Sequence, residues 1–243
     1  MNKNLLFVIV LLMSVTTAHT APKTVEEYIS RGDAYMAKNK YDRAIADYTK
    51  AIQLDPNNAI AYNNRGFAYS EKGDYDLAID DYTQAIRIDP NYAEAYNGRS
   101  FGLNNKGEHD LAFTDSTQAI QIDPDFAEAY NIRSFSNNNK REYDLAIANY
   151  TQAIRIDPNY TFAYNNRGLA YNNKEDYDRA IVDLDKSIQL DPYIVNYYRH
   201  RAFAYMKKDN YGQARADVNK ALQINPNYQR SQELSTELEQ FGY

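Results

Sequence analysis

Apolar and polar positions alternate along this chain with helical spacing, in short runs that stop and begin again. Between residues 59 and 72, AIAYNNRGFAYSEK sets Ile60, Tyr62, Phe67 and Tyr69 at helical intervals, and Gly73 ends the run. From 75 to 88, YDLAIDDYTQAIRI puts Leu77, Ala78, Tyr82, Ala85 and Ile86 on one stripe, the pattern of a half-buried helix. Asp74 stands where an N-cap belongs, and Asp76 adds negative charge to the first turn, which the helix dipole favours. Asp89-Pro90 stops the run, because proline cannot continue a helix and disfavours helical backbone in the residue before it. The cycle then recurs. Pro22, Pro56, Pro90, Pro124, Pro158, Pro192 and Pro226 lie 34 residues apart, and the corners AIQLDPNN, AIRIDPNY, AIQIDPDF, AIRIDPNY, SIQLDPYI and ALQINPNY repeat with them. Six helical pairs in phase predict an all-α array in which stacking supplies the core that no single unit can build. YQRSQELSTELEQFGY reads as its polar cover, with Leu234, Leu238 and Phe241 on one stripe.

With each proline as the thirty-second residue, the units are 25–58, 59–92, 93–126, 127–160, 161–194 and 195–228. An aromatic opens each first helix at Tyr28, Tyr62, Tyr96, Tyr130, Tyr164 and Tyr198. A small residue follows at Gly32, Gly66, Ser100, Ser134, Gly168 and Ala202. The second helices carry Ala44, Ala78, Ala112, Ala146, Ala180 and Ala214, then Ala51, Ala85, Ala119, Ala153, Ser187 and Ala221. In these residues the chain resembles the tetratricopeptide repeat (TPR) family, over nearly everything beyond the first two dozen residues. The resemblance implies a right-handed superhelical solenoid of six helix–turn–helix repeats, 25–228, with a C-terminal capping helix, 229–243.

The first residues follow another logic. MNKN carries Lys3, Leu5 to Met13 is unbroken apolar sequence, and SVTTAHTA follows with small and polar residues. Those three regions read as a secretory signal peptide, residues 1–18, cleaved after Ala18, leaving 19–24 as a short linker. The apolar stretch is too short to span a bilayer, so no membrane span is expected after cleavage. An exported bacterial protein, periplasmic or secreted, is the expectation. The formal net charge of −6 disfavours nucleic acid or an anionic membrane as partner. With no cysteine, disulfides, thiolate metal sites and a lipoprotein anchor are excluded.

Catalytic chemistry finds little support. The histidines are His19, His109 and His200: the first at the signal junction, the second where other units have tyrosine, the third without a second histidine near it. No phosphate loop, H-E-x-x-H or calcium-loop spacing occurs, and acidic pairs such as Asp80-Asp81 recur as solvated helix faces do. A non-enzymatic protein without cofactor or metal is expected.

Two columns of residues stand out. Arginine precedes the small residue in every unit, at Arg31, Arg65, Arg99, Arg133, Arg167 and Arg201. Sixteen residues later stand Asp47, Asp81, Asp115, Asn149, Asp183 and Asp217. These predict a ladder of ion pairs between the two helices of each unit. The other reading is an array of arginines shown to acidic ligands. The resemblance implies, in addition, that first helices line a concave groove through the second, fifth, ninth, twelfth and thirteenth residues of each unit. Those positions hold Asn63, Asn97, Asn131 and Asn165, then Phe67, Phe101, Phe135, Leu169 and Phe203, then Asn104-Asn105, Asn138-Asn139 and Asn172-Asn173. Amides both donate and accept, so such a column suits an extended peptide backbone, with the phenylalanines as apolar pockets. The plainer reading has the rings packed between units and the amides solvated. The family's carboxylate grip is not matched, since Ile29 and Asp33, or Asn63 and Phe67, occupy its positions. An asparagine ladder at the sixth residue is present only as Asn64 and Asn166.

Units three and four look weaker. Asn137 falls where Tyr35, Tyr69, Tyr171 and Tyr205 fill the core, and Ser116 replaces a larger residue. Asn137 is expected to reach solvent or a backbone partner, since burying an unpaired amide costs about 1–3 kcal/mol. The function expected is a protein–protein interaction scaffold that binds an extended peptide or partner helix in the groove. The alternatives are a self-assembling structural or envelope protein and a cell-wall carbohydrate-associated protein.

Overall fold

The structure is a computed structural model that describes residues 24–240 and Gly242. The expected signal peptide and linker up to residue 23, together with Phe241, lie outside the described residues. The described residues form thirteen helices and no strand. They pair as α1 (Val25–Met36) with α2 (Tyr41–Leu54), α3 (Ala59–Lys72) with α4 (Tyr75–Ile88), and α5 (Ala93–Asn105) with α6 (His109–Ile122). Next come α7 (Ala127–Asn139) with α8 (Tyr143–Ile156), α9 (Thr161–Asn173) with α10 (Tyr177–Leu190), and α11 (Val195–Lys207) with α12 (Tyr211–Ile224). Helix α13 (Gln229–Gln240) closes the stack.

Two corners shape every repeat. After each second helix the C-cap Asp or Asn leaves helical geometry, and its side chain accepts the N–H two residues on: Asp55 from Asn57 at 3.0 Å, Asp89 from Asn91 at 2.9 Å, Asn225 from Asn227 at 3.0 Å. The intervening proline has no N–H to lose, so the turn is satisfied as it forms. Between the helices of a pair one residue takes left-handed backbone: Asn39, Gly73, Gly107, Arg141, Glu175 and Asp209, with φ between 54° and 82°. Only Gly73 and Gly107 do so without side-chain strain. Asp74 does occupy an N-cap position, yet its carboxylate makes no cap bond and lies 3.5 Å from Lys72 Nζ instead. The α1 terminus shows what a full cap requires: Thr24 and Glu27 bond reciprocally as a capping box.

The core is built from alanine columns and, in every repeat but the third, where Ser116 stands, one larger side chain. Ala44, Ala78, Ala112, Ala146, Ala180 and Ala214 are fully buried. Tyr48, Tyr82, Tyr150, Leu184 and Val218 fill the space beside them, and burying such a side chain contributes about 1.5–3 kcal/mol. The small first-helix residue lets that side chain in: a Cβ on Gly32 would stand 2.5 Å from the Tyr48 ring, and one on Gly168 2.8 Å from Leu184. Ile60 and Leu77 are not in this core; both are about half exposed, because the stripe that packs is narrower than the apolar pattern. At the far end α13 lays Leu238 and Leu234 over Ala202, Ala214 and Val218, covering the last repeat.

First helices of successive repeats touch one another, from α1 against α3 to α9 against α11, and second helices make no comparable contact. A stack closer on one side than the other curves. The first helices therefore line the inside, and their exposed residues face the groove.

Candidate functional site

An open cavity of about 790 Å³ runs along this inner face from the second repeat to the fifth. Phe67, Phe101 and Phe135 line it at 51, 43 and 40 % exposure, too open for core residues. Tyr75 holds Phe101 in an edge-to-face contact with ring centroids 6.2 Å apart. Phe126, Tyr160 and Phe162, which the sequence reading passed over, extend the aromatic wall from the corners between repeats. Phe126 and Tyr160 stand two residues past an Asp-Pro corner, just before the helical pattern begins, and Phe162 is the second residue of α9.

The asparagines divide. Asn63, Asn97 and Asn131 line the cavity, Asn97 with a buried Oδ1 that has no donor. Asn104 lines it too, but its amide is tied inward: Nδ2 donates to Ile132 O at 3.3 Å, and Oδ1 meets Ser136 Oγ and His109 Nδ1 at 3.0 Å each. Asn138, Asn165 and Asn172 are not on the cavity wall. Asn138 accepts from Asn173 at 3.2 Å, and Asn172 donates to His200 O at 3.1 Å. Buried Asn165 accepts from His200 Nδ1 at 2.8 Å and donates to Asn166. These amides join neighbouring repeats, and Asn131 does so too, its Oδ1 accepting from Asn166 Nδ2 at 3.2 Å; of the three on the wall, only Asn63 keeps an oxygen that is neither bonded nor buried. Asn137 neither reaches solvent nor finds a partner for its oxygen: it is 1 % exposed, and Oδ1 lacks a donor. The helix backbone places it at the tyrosine position, and its short side chain cannot reach past the repeat.

His200 closes this inner network in a neutral form. With Nδ1 donating to Asn165, its Nε2 accepts from Arg199 Nη2. Burial, then the charges of Arg199 and Arg230, push its pKa down to about 3.

The arginine column lies elsewhere, between the helices of each pair. Arg31, Arg65, Arg99, Arg167 and Arg201 each bond both oxygens of Asp47, Asp81, Asp115, Asp183 and Asp217, at 2.6 to 2.8 Å. Each guanidinium also sits over the tyrosine three residues earlier, for example 5.6 Å from the Tyr62 ring. Arg65, Arg99 and Arg167 reach back to Thr49, Thr83 and Thr151 of the preceding repeat, so the ladder ties repeats as well as helices. Burial pulls the Asp81 and Asp217 carboxyls up while the arginine bonds pull them down; two short N–H···O contacts leave the ionised pair as the stable form. Arg133 sits over Tyr130 in the same way but bonds only the neutral Asn149, and burial pushes its pKa down from the usual guanidinium value.

A second ladder escaped the sequence reading. Lys72, Lys106, Lys140, Lys174 and Lys208 pair with Asp42, Asp76, Asp110, Asp144 and Asp178 of the preceding repeat, at 2.8, 2.5, 2.9 and 2.5 Å for the first four. Its signal was a fixed offset of 30 residues at every junction. Among the described residues no cluster of His, Asp and Glu suited to a metal occurs, and no helix is long and apolar enough to cross a membrane.

Comparison with known proteins agrees with this geometry. Profiles described as TPR repeat match residues 32–73 and 140–174, and profiles described as tetratricopeptide repeat match 59–92, 161–193 and 195–228. The Cut9–Hcn1 hetero-tetramer structure of the APC/C superposes with a TM-score of 0.84 at 22 % identity, over 90 % of this chain but 43 % of that one. Pseudomonas aeruginosa pilF superposes with a TM-score of 0.74 at 16 % identity, over 88 % of this chain and 97 % of that one. YrrB, described as a TPR protein with an unusual peptide-binding site, gives 0.58 at 21 % identity, over 78 % and 97 %. At these identities the likeness shows the fold alone. A search of curated proteins finds no match. Six phased repeats, the inner groove they build and the matching profiles establish that this chain belongs to the tetratricopeptide repeat family.

Proposed function

We propose that this protein is an exported, non-enzymatic scaffold that binds an extended segment of another polypeptide in its concave groove. The carrying observation is the row of half-exposed phenylalanines over three consecutive repeats, along a cavity of about 790 Å³. Apolar rings left open in a regular row are costly to hydrate and mark a contact surface. Beside them the Asn63 amide offers an acceptor and a donor, and the amide nitrogens of Asn97 and Asn131 offer donors, to a peptide backbone. A peptide-binding site is described for YrrB, which supports the reading by analogy of fold. Export is supported by the basic, apolar and small-residue regions of residues 1–21.

A photo-crosslinking residue placed at Phe101 or Phe135, with controls at Val182 and Tyr193, tests the site in the cells that make the protein. Adducts with another polypeptide from the groove positions alone are expected. Adducts from the control positions alone would move the site off the groove. Recovery from the cell envelope or medium with His19 as first residue is expected; a chain that keeps Met1 would remove export from the reading.

Self-association is the second reading, favoured by Leu77, Leu111 and Leu145. They recur in the first turns of α4, α6 and α8, each about half exposed. Sedimentation decides it: a monomer at micromolar concentration removes it.

A further inference from the structure

The cavity wall carries charge of one sign only. Glu71, Glu94 and Glu128 line it, and no lysine or arginine does. All three carboxylates are exposed, and none is in an ion pair. Glu71 has a single long contact, from the Tyr41 hydroxyl at 3.4 Å. Cations nearby in the chain are committed elsewhere. Lys72 faces Asp42 and Asp74, Lys106 faces Asp76 and Glu108, and Lys140 faces Asp110 and Glu142. Arg65 and Arg99 are held by Asp81 and Asp115.

Unpaired carboxylates along a concave apolar wall focus negative potential where a ligand would lie. Phenylalanine faces beside them add attraction for an ammonium or guanidinium. Glu94 and Glu128 hold the same position in successive repeats, and neighbouring first helices pack at about 8–10 Å, the reach of roughly three residues of extended chain. The open oxygen of Asn63 adds an acceptor on the same wall, whereas that of Asn131 already accepts from Asn166 Nδ2 at 3.2 Å and that of Asn97 is buried.

From the charge of this wall we infer that the groove selects an extended segment in which lysine or arginine recurs about every third residue with apolar side chains between. The inference rests on the groove reading above and adds the chemistry of the occupant.

Selection of a random dodecapeptide display library on the full chain at low salt tests it. Three arms run in parallel: the natural protein, E71Q/E94Q/E128Q, and F101S/F135S, each checked for native helicity by circular dichroism. The natural protein should enrich peptides in which Lys and Arg outnumber Asp and Glu by about threefold or more, three residues apart. The glutamine variant should recover peptides of equal apolar content without that bias, and the serine variant should recover none. An enriched pool with no basic excess, or an excess that survives in the glutamine variant, overturns this inference and leaves the groove standing. No enriched pool from the natural protein, or one equally enriched by the serine variant, overturns the groove reading itself.

Discussion

Replacing Asn149 by aspartate should stabilise the array. In the five other repeats a half-buried arginine bonds both oxygens of a carboxylate, as Arg65 does with Asp81 at 2.7 Å each. In the fourth, one oxygen of Asn149 serves both Nε and Nη2 of Arg133, while its Nδ2 donates to Leu145 O at 2.9 Å. Arg133 thus bears the desolvation of its site with no counter-charge. Asn149→Asp adds a second acceptor and that counter-charge, loses the bond to Leu145, and desolvates one carboxylate. A hydrogen bond to a charged group contributes about 1.5–3 kcal/mol and a neutral one about 1 kcal/mol. With the carboxylate's desolvation subtracted, the net gain is about 1 kcal/mol, because the arginine's own cost is already met in the native protein. Urea unfolding followed by circular dichroism should show a higher midpoint at unchanged slope, matching a rise in Tm of about 2–4 °C. Raising the salt concentration should remove only part of the gain, since the pair is shielded from solvent. Asp81→Asn creates the Arg133 situation at Arg65 and should cost about 1–2 kcal/mol. An equal or lower midpoint for Asn149→Asp, at unchanged slope, would mean that desolvation outweighs pairing and would refute the reasoning.

Other outcomes follow from the same geometry. Glu175→Gly relieves left-handed backbone at φ 63° and should raise stability by about 0.5 kcal/mol in the same urea assay, the strain relief exceeding glycine's extra unfolded-state entropy. Gly98→Ala sets a Cβ 2.4 Å from the buried Tyr82 ring and should cost about 1–3 kcal/mol, seen as a lower Tm. His200 has a folded pKa near 3 against about 6.5 unfolded, so its contribution is complete above pH 6.5 and is lost as pH falls toward 3. Measured against His200→Gln, the natural protein should therefore lose about 1.4 kcal/mol per pH unit across that window, and none above it. Lys106→Gln removes a rung whose Asp76 partner is largely exposed and should leave the urea midpoint unchanged within error.

The period was legible because its causes are local. An Asp-Pro corner and a left-handed turn residue act within a few positions, and the alanine columns repeat with them, so helix order and repeat limits follow from spacing. The arginine ladder was legible for the same reason, as both partners lie in one repeat. Spacing also sets Asn63, Asn97, Asn131 and Asn165 on one helix face. Whether each amide is free depends on the next repeat, and there the period fails. Asn165 is closed by His200, 35 residues on, where the other repeats have Ser30, Asn64, Gly98, Ile132 and Asn166. No reading of one helix contains that information.

Tyr82 and Gly98 show the same long-range logic in the core, and the next junction inverts it. There Ser116 stands at the second-helix position of Tyr82 and bonds back to Ala112 O at 2.8 Å, and the first-helix position of Gly98 holds Ile132. Large over small in one repeat becomes small over large in the next. Ser116 is buried with its hydroxyl bonded, whereas Asn137 keeps a donorless oxygen. On the groove reading proposed above, this division is where selectivity would reside. The regular positions use the arginines and lysines to hold helices and repeats together, which withdraws cations from the inner wall. The groove is left with what the period does not prescribe: Glu71 in one repeat, Glu94 and Glu128 in the next two, and phenylalanine giving way to Leu169 in the fifth. Departures from the repeat, rather than the repeat, give the inner wall its single charge and its chosen length.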